Sequence, residues 1–127
     1  MTFTAIVMYP NDADIQFDES YYLTTHMPLV EKTWKSHGLI SWRVNKFPTA
    51  LDGTRSAYLI MATLEWESEE SLKSALQSVG TAGVFADIPN FTNAKPVTLA
   101  GTDLKLLMGV WVLESIYSDH SIHVMNQ

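Results

Sequence analysis

The spacing of apolar and polar residues along the chain predicts four β-strands. The first of them, residues 2–9, alternates weakly between apolar and polar positions and is rich in residues that favour strands. Turn residues separate these strands: Pro10 and Asn11 follow the first, and Asp52 and Gly53 lie in the loop after the second. The predicted strands cover residues 2–9, 40–47, 57–66 and 96–100.

A helix is predicted between the first two strands. Asp18 can cap its N-terminus, Phe17 and Tyr22 occupy the positions of a hydrophobic staple, and Gly38 is a natural stop. Pro28 cannot donate to the hydrogen-bond ladder of this helix. We therefore expect a kink just before Pro28.

A second helix is predicted after the third strand. Ser68 can cap its N-terminus, Gly80 is expected to end it, and residues 81–88 are expected to add a short helical turn. Its apolar residues recur at helical spacing, at Leu72, Ala75, Leu76 and Val79.

The resulting order of elements, βαββαβ, predicts an α+β fold of the ferredoxin-like type. In this arrangement two helices cover one face of a four-stranded antiparallel sheet and leave the other face bare. A second copy that packs by the same face would cover it and produce a two-fold symmetric dimer. We therefore expect a homodimer.

Size and composition narrow the range of partners. A chain of 127 residues is close to the usual size of one domain. The content of 46% hydrophobic and 17% charged residues excludes a disordered chain. Eight Lys and Arg against fourteen Asp and Glu give a net charge of −6, without a basic stripe. Neither nucleic acid nor a membrane surface is expected as a partner.

The location expected from the sequence is the cytoplasm. The longest apolar run near either end, residues 106–113, has eight residues, whereas a membrane helix needs about 20. The N-terminus has neither a basic region nor a cleavage motif. The chain contains no cysteine, which removes disulfides, thiol nucleophiles and cysteine-ligated metals from consideration.

His26 is the strongest candidate for chemistry. It follows Tyr22 by four residues, so the two side chains share one face of the first helix. A histidine, with a reference pKa of about 6.5, can exchange protons near neutral pH without a metal. Tyr22 could donate a hydrogen bond to a developing enolate, and Asp87 could orient His26 or act as a second base. Packing in the core would also explain His26 and Tyr22, and a turn before Pro89 would explain Asp87.

Six further aromatic residues are candidates for lining an apolar ligand pocket, although core or dimer-interface positions would explain most of them equally well. These candidate ligand-binding residues are Tyr21, Trp34, Trp42, Trp66, Phe85 and Phe91. His120 and His123 have a spacing that could hold a metal on a helix, but further ligands are lacking nearby. Phosphate-loop and nucleophile-elbow motifs are also absent, so we expect neither metal nor cofactor.

Several spaced motifs resemble those of a known family. In the first half of the chain they are residues 7–11 (VMYPN), Phe17-Asp18, Tyr21-Tyr22 and His26-Met27-Pro28-Leu29-Val30. In the second half they are Ala62-Thr63-Leu64, Ser68, Gly80, Asp87-Ile88-Pro89-Asn90-Phe91-Thr92 and Pro96. Together they resemble the EthD family, named for a protein of ethyl tert-butyl ether degradation. The spaced Phe-Asp, Tyr-Tyr and His-x-Pro-Leu signature is the most specific part of the match.

The resemblance implies the dimeric α+β barrel superfamily, which includes cofactor-free cyclases, small monooxygenases, isomerases and decarboxylases. It implies no settled reaction, because a fold does not fix function. It also strengthens the assignment of His26, which lies in the matching motif. The matching pattern ends at Gly101, so we divide the chain into an EthD-like domain, residues 1–101, and a C-terminal extension, residues 102–127. The apolar run 106–113 is expected to pack on its own or the partner subunit.

Two classes of function follow. The first is a cofactor-independent lyase or isomerase, such as a decarboxylase or cyclase, that acts on a small hydrophobic aromatic or lactone-like metabolite with His26 as acid and base. The second is a non-catalytic protein that binds such a molecule or assists an oxygenase in a degradation pathway. Only the first class needs a group that titrates.

Overall fold

The structure, a computed structural model, describes residues 2–105. Within this range the strands form a four-stranded sheet in the order β2-β3-β1-β4, with every neighbouring pair antiparallel. The predicted ferredoxin-like α+β fold is therefore confirmed. The strands are β1 (Phe3–Pro10), β2 (Leu39–Lys46), β3 (Tyr58–Trp66) and β4 (Val97–Thr102).

The helical stretch after β1 begins where the sequence predicts. The Asp18 side chain accepts a hydrogen bond from the Tyr21 backbone N–H, and the Phe17 and Tyr22 rings contact each other at a centroid distance of 5.0 Å. Gly38 ends the stretch with a φ of +104°, and a Cβ there would lie 2.6 Å from Ser71 Cβ. The segments are α1 (Glu19–Tyr21), a π-helical turn (Tyr22–His26), α2 (Met27–Trp34) and a 3₁₀ turn (Lys35–His37).

The interruption expected before Pro28 takes the form of the π-helical turn. The Met27 backbone N–H donates to the Tyr22 carbonyl, five residues back, rather than to the residue four back. A widened turn absorbs the register change that a proline imposes, because Pro28 has no N–H to continue the ladder. The turn contains both Tyr22 and His26, so the local distortion lies at the candidate site.

The second helix is shorter than predicted. The Ser68 cap is present, since its hydroxyl accepts from the Ser71 backbone N–H, but α3 (Glu69–Leu76) ends four residues before Gly80. The Ala75 carbonyl instead accepts hydrogen bonds from the hydroxyls of Ser78 and Thr81. These side-chain bonds replace the next helical turn and leave Val79 fully exposed. The chain continues through α4 (Thr81–Ala86) and a 3₁₀ turn (Ile88–Asn90).

The hydrophobic core lies between the helices and one face of the sheet. Alternate residues of β1 and β3 point toward the helices, in keeping with the two-residue period of a strand. The largest side chains buried to 98% or more are those of Trp66, Tyr9, Tyr22 and Met27. This layer fixes the floor of the candidate site.

The opposite sheet face carries Ile6, Met8, Met61 and Leu99 on adjacent strands, and Leu99 is 60% exposed. The helices of residues 2–105 lie on the other face, and none of them is long and apolar enough to cross a membrane. The predicted packing of residues 106–113 lies outside the described residues.

Candidate functional site

The site is built around a contact between two distant parts of the chain. Asp87, at the end of α4, lies beside His26 in the π-helical turn, with Asp87 Oδ2 2.9 Å from His26 Nδ1. Backbone hydrogen bonds hold the two segments together, including one from Asp18 N–H to the Phe91 carbonyl at 2.8 Å. His26 is 4% exposed. The imidazole and carboxylate are therefore fixed in a largely buried position.

Asp87 is held as a carboxylate by three donors. Its Oδ1 accepts from the Tyr21 hydroxyl at 2.6 Å and from Asn90 Nδ2 at 2.9 Å, while Oδ2 faces His26. Burial raises the pKa of Asp87, but the hydrogen bonds from Tyr21, Asn90 and His26 outweigh it and hold that pKa below its ordinary value. An ionised carboxylate can only accept, so His26 Nδ1 must donate to it. This arrangement makes Nε2 the lone-pair nitrogen of the neutral imidazole.

Aromatic rings enclose the imidazole. Tyr22 stacks on His26 at a centroid distance of 5.4 Å and an interplanar angle of 14°, and Phe91 lies 4.6 Å from His26. Burial is the main cause that raises the pKa of Tyr22, and the neighbouring Tyr9 adds to it. The Tyr22 hydroxyl therefore stays protonated near neutral pH and donates a hydrogen bond to Tyr9.

A small cavity of about 50 Å³ lies between this cluster and the sheet. Of the nine residues predicted for catalysis or ligand binding, His26, Tyr22, Trp34 and Phe85 line the cavity. The rest of its lining is almost wholly apolar. It comprises Val7, Tyr9, Met27, Val30, Ala62, Leu64, Val84, Ile88, Pro96 and Thr98.

The other five predicted residues lie outside this lining. Asp87 and Tyr21 contact the site through the carboxylate network, and Phe91 packs on the imidazole. Trp66 is fully buried against Trp34, with ring centroids 5.6 Å apart. Trp42 donates its indole N–H to Glu31 on α2, 2.9 Å away.

Asn90 is a residue of the network that the sequence analysis did not single out. Its amide donates to Asp87 and lies 3.5 Å from the Tyr21 hydroxyl. The spacing of three residues between Asp87 and Asn90 is typical of side chains that meet across one helical turn. That spacing is the available signal in the sequence, but Pro89 lies between the two residues and is itself typical of a turn or a helix break.

Metal ligands do not cluster in the described part of the chain, where no group of three His, Cys, Asp or Glu residues is placed to hold an ion. His120 and His123 lie outside the described residues. The chemical groups of the site are thus an oriented imidazole, its carboxylate partner and tyrosine hydroxyls beside an apolar cavity. This set is suited to proton transfer.

Fold and site together define a small α+β protein with a ferredoxin-like fold and an imidazole–carboxylate pair beside an apolar cavity. The fold is similar to that of an EthD-like protein from Ralstonia eutropha JMP134, at 27% identity and a TM-score of 0.73, with 82% of this chain and 93% of that chain covered. It is also similar to an ethyl tert-butyl ether degradation (EthD) family protein from Bacillus halodurans C-125, at 21% identity and a TM-score of 0.65, with 82% and 100% covered. The resemblance to the EthD family is therefore confirmed.

The same fold occurs in an enzyme of low sequence identity. The hydroxynitrile lyase from Passiflora edulis superposes with a TM-score of 0.61 at 8% identity, with 84% of this chain and 97% of that chain covered. No family model matches the sequence, and the search of curated proteins found no match.

Proposed function

We propose that this EthD-like protein is a cofactor-independent lyase or isomerase that acts on a small hydrophobic aromatic or lactone-like molecule, with His26 as acid and base. The observation that carries the proposal is the buried contact between His26 Nδ1 and Asp87 Oδ2 beside an apolar cavity. A lyase with the same fold supports this class of chemistry.

The proposed step is a proton transfer at an acidic C–H bond of the ligand. Nε2 of His26 takes the proton, and the electron pair of the C–H bond moves into an adjacent carbonyl to give an enolate. Asp87 stabilises the imidazolium that forms, and Tyr22 can donate a hydrogen bond to the enolate oxygen. The imidazolium then returns the proton to another carbon, which is isomerisation, or to a departing group, which is elimination.

A test begins with organic extracts of the purified protein, to identify a molecule that copurifies. That molecule and a panel of enolisable aromatic acids and lactones are then incubated with the protein in D₂O, and deuterium incorporation and product are followed by NMR. His26→Ala should lower the rate by about 10²- to 10⁴-fold with the fold intact, and Tyr22→Phe should cost less. The matched control is His37→Ala, in the 3₁₀ turn after α2, which should keep the parental rate. Equal rates in the parent and His26→Ala would contradict the proposal.

The second candidate is a non-catalytic binding or accessory protein of a degradation pathway. The almost wholly apolar cavity lining favours it, since a binder needs such a lining but no titrating group. In that case the ligand would be recovered unchanged, and its affinity would be the same in the parent and in His26→Ala.

We also propose that the protein works as a cytoplasmic homodimer that pairs through the sheet face opposite the helices. Apolar side chains on that face, including Ile6, Met8, Met61 and Leu99, support a self-complementary contact. Sedimentation at micromolar concentration should give about twice the chain mass of 14.3 kDa. The interface should bury at least about 1,600 Å². A monomer under these conditions would contradict the pairing.

A further inference from the structure

The cavity beside His26 is too small for the molecules that the proposed function requires. Its volume is about 50 Å³. A dry apolar cavity that holds benzene measures about 150 Å³. An aromatic ligand can therefore enter only if part of the wall moves outward.

Most of the wall cannot move at low cost. Tyr22, His26, Met27 and Val84 are between 1% and 4% exposed, and the sheet residues beneath them, apart from Thr98 on the edge strand β4, belong to the central strands β1 and β3. Displacing such side chains would disrupt close-packed neighbours on every side. The movable part must be a lining residue that already borders solvent.

Two lining residues are exposed, Thr98 and Phe85, and Phe85 has the larger side chain. It lines the cavity, yet 51% of its surface is exposed, so its ring borders both the cavity and solvent. The helix that carries it is anchored at its other end, where Thr81 accepts a hydrogen bond from Trp34 Nε1 at 2.9 Å and donates one to the Ala75 carbonyl. The ring can therefore rotate about its Cα–Cβ bond while α4 stays in place, and exposed side chains change rotamer within nanoseconds.

We propose that Phe85 gates the cavity and sets the size of the ligand that reaches His26. This inference rests on the proposed function, because it concerns access to the same site. When the ring swings out, the space that it leaves joins the cavity. That space lies beside Trp34, whose ring is 6.3 Å from Phe85 at an angle of 60°.

The geometry of that space defines a ligand class. A planar aromatic ring can take the place of the Phe85 ring and keep the edge-to-face contact with Trp34. The same molecule needs a single hydrogen-bond donor or acidic proton directed at His26, since the remaining wall is apolar. The expected ligands are therefore flat molecules of one or two rings with one polar edge.

The experiment uses indole as the probe, because it is a flat two-ring molecule with one N–H donor. Its affinity is measured by NMR titration of the full chain, with the His26 imidazole signals as reporters of the site and of an intact fold. Phe85→Ala should bind indole at least about tenfold more tightly, and Phe85→Trp at least about tenfold more weakly, as expected when a pocket wall gains or loses volume. If Phe85→Ala does not fold, Phe85→Leu provides the smaller side chain.

The matched control is Phe47→Ala, which removes a 38% exposed phenylalanine just after β2 that does not line the cavity. It should bind indole within about twofold of the parent. Affinities that stay within about threefold across all Phe85 variants would overturn the gate, as would an equal change in Phe47→Ala. If indole affinity depends on the side chain at position 85 but His26→Ala shows no loss of turnover, the proposed gate is supported and the catalytic proposal fails. If turnover depends on His26 but no ligand's affinity depends on residue 85, the gate fails and the catalytic proposal stands.

Discussion

Two aspartates, Asp87 and Asp103, accept similar hydrogen bonds but lie in different parts of the fold. Asp87 accepts from a tyrosine hydroxyl and an amide, and Asp103 accepts from the hydroxyls of Thr2 and Thr4, both at 2.5 Å. The pKa of each lies below its ordinary value. Asp87, however, contacts an imidazole beside a cavity, whereas Asp103 follows β4 and joins it to the start of β1 on the sheet face away from the helices.

The difference shows that a lowered carboxylate pKa does not by itself identify a functional site. A hydrogen bond shared with the Glu65 carboxyl group and those donated by the Thr2 and Thr4 hydroxyls lower the pKa of Asp103 to about 2, yet these neighbours only connect strands. What distinguishes Asp87 is the group on its other side, an imidazole that can accept and return a proton next to space for a ligand. Perturbed titration is a guide to function only when such geometry accompanies it.

The largest expected effect is on activity, which should depend on Asp87 and not on Asp103. Asp87→Asn should lower kcat by about 10²- to 10⁴-fold with little change in KM, because an amide no longer fixes the tautomer of His26 or stabilises its cation. Asp103→Asn should leave kcat within about twofold of the parent. The measurement is the NMR exchange assay on a substrate found in the D₂O screen.

A conservative variant sharpens this test. Asp87→Glu keeps the charge and should recover part of the activity that Asp87→Asn loses. If Asp87→Asn instead raised KM at constant kcat, Asp87 would contribute to ligand binding rather than to positioning His26.

The sequence predicts the elements of this molecule better than it predicts the site. Strand alternation and the Asp18 and Ser68 caps depend on neighbouring residues, so the strand positions and both helix starts were predictable. The early end of α3 was not, because it depends on the Thr81 hydroxyl reaching the Ala75 carbonyl.

The candidate site depends on contacts across the whole fold. His26 and Asp87 are 61 residues apart, and only the folded chain shows that they meet. Local sequence cannot tell which aromatic residues border the cavity either, since Trp34 lines it and Trp66, just beneath, does not. The volume of the cavity follows from packing alone.

The second expected effect is on stability and concerns Asp103. The pKa of Asp103 is lower in the folded protein than its ordinary value of 3.8. The ionised carboxylate therefore stabilises the folded state above about pH 4, and this stabilisation is lost as pH falls toward about 2. Asp103→Asn should therefore lower Tm at pH 7, and the difference from the parent should shrink between about pH 4 and pH 2. Thermal unfolding followed by circular dichroism across this range measures it.

Asp52 provides the control for that experiment. Hydrogen bonds from Thr54, two residues away, lower the pKa of Asp52, so this contact organises only an exposed loop. Asp52→Asn should change Tm less than Asp103→Asn. A Tm difference for Asp103→Asn that persists undiminished at pH 2 would mean that the carboxylate charge is not its source.

The smallest expected effect tests how much a single hydrogen-bond donor to Asp87 contributes to activity. Tyr21→Phe removes the hydroxyl donor at 2.6 Å but leaves Asn90 and His26 in place, and the ring can keep its stacking on Phe91. Without that hydrogen bond the pKa of Asp87 should rise toward its ordinary value, which still leaves the group ionised at neutral pH. Turnover should therefore fall by less than about tenfold, with Tyr58→Phe at the start of β3 as the matched control. If Tyr21→Phe lost as much turnover as Asp87→Asn, the Tyr21 hydroxyl would act on the ligand directly rather than through Asp87. The reason is that Tyr21 is one of three donors to Asp87, so removing it alone cannot account for the full effect of removing the carboxylate.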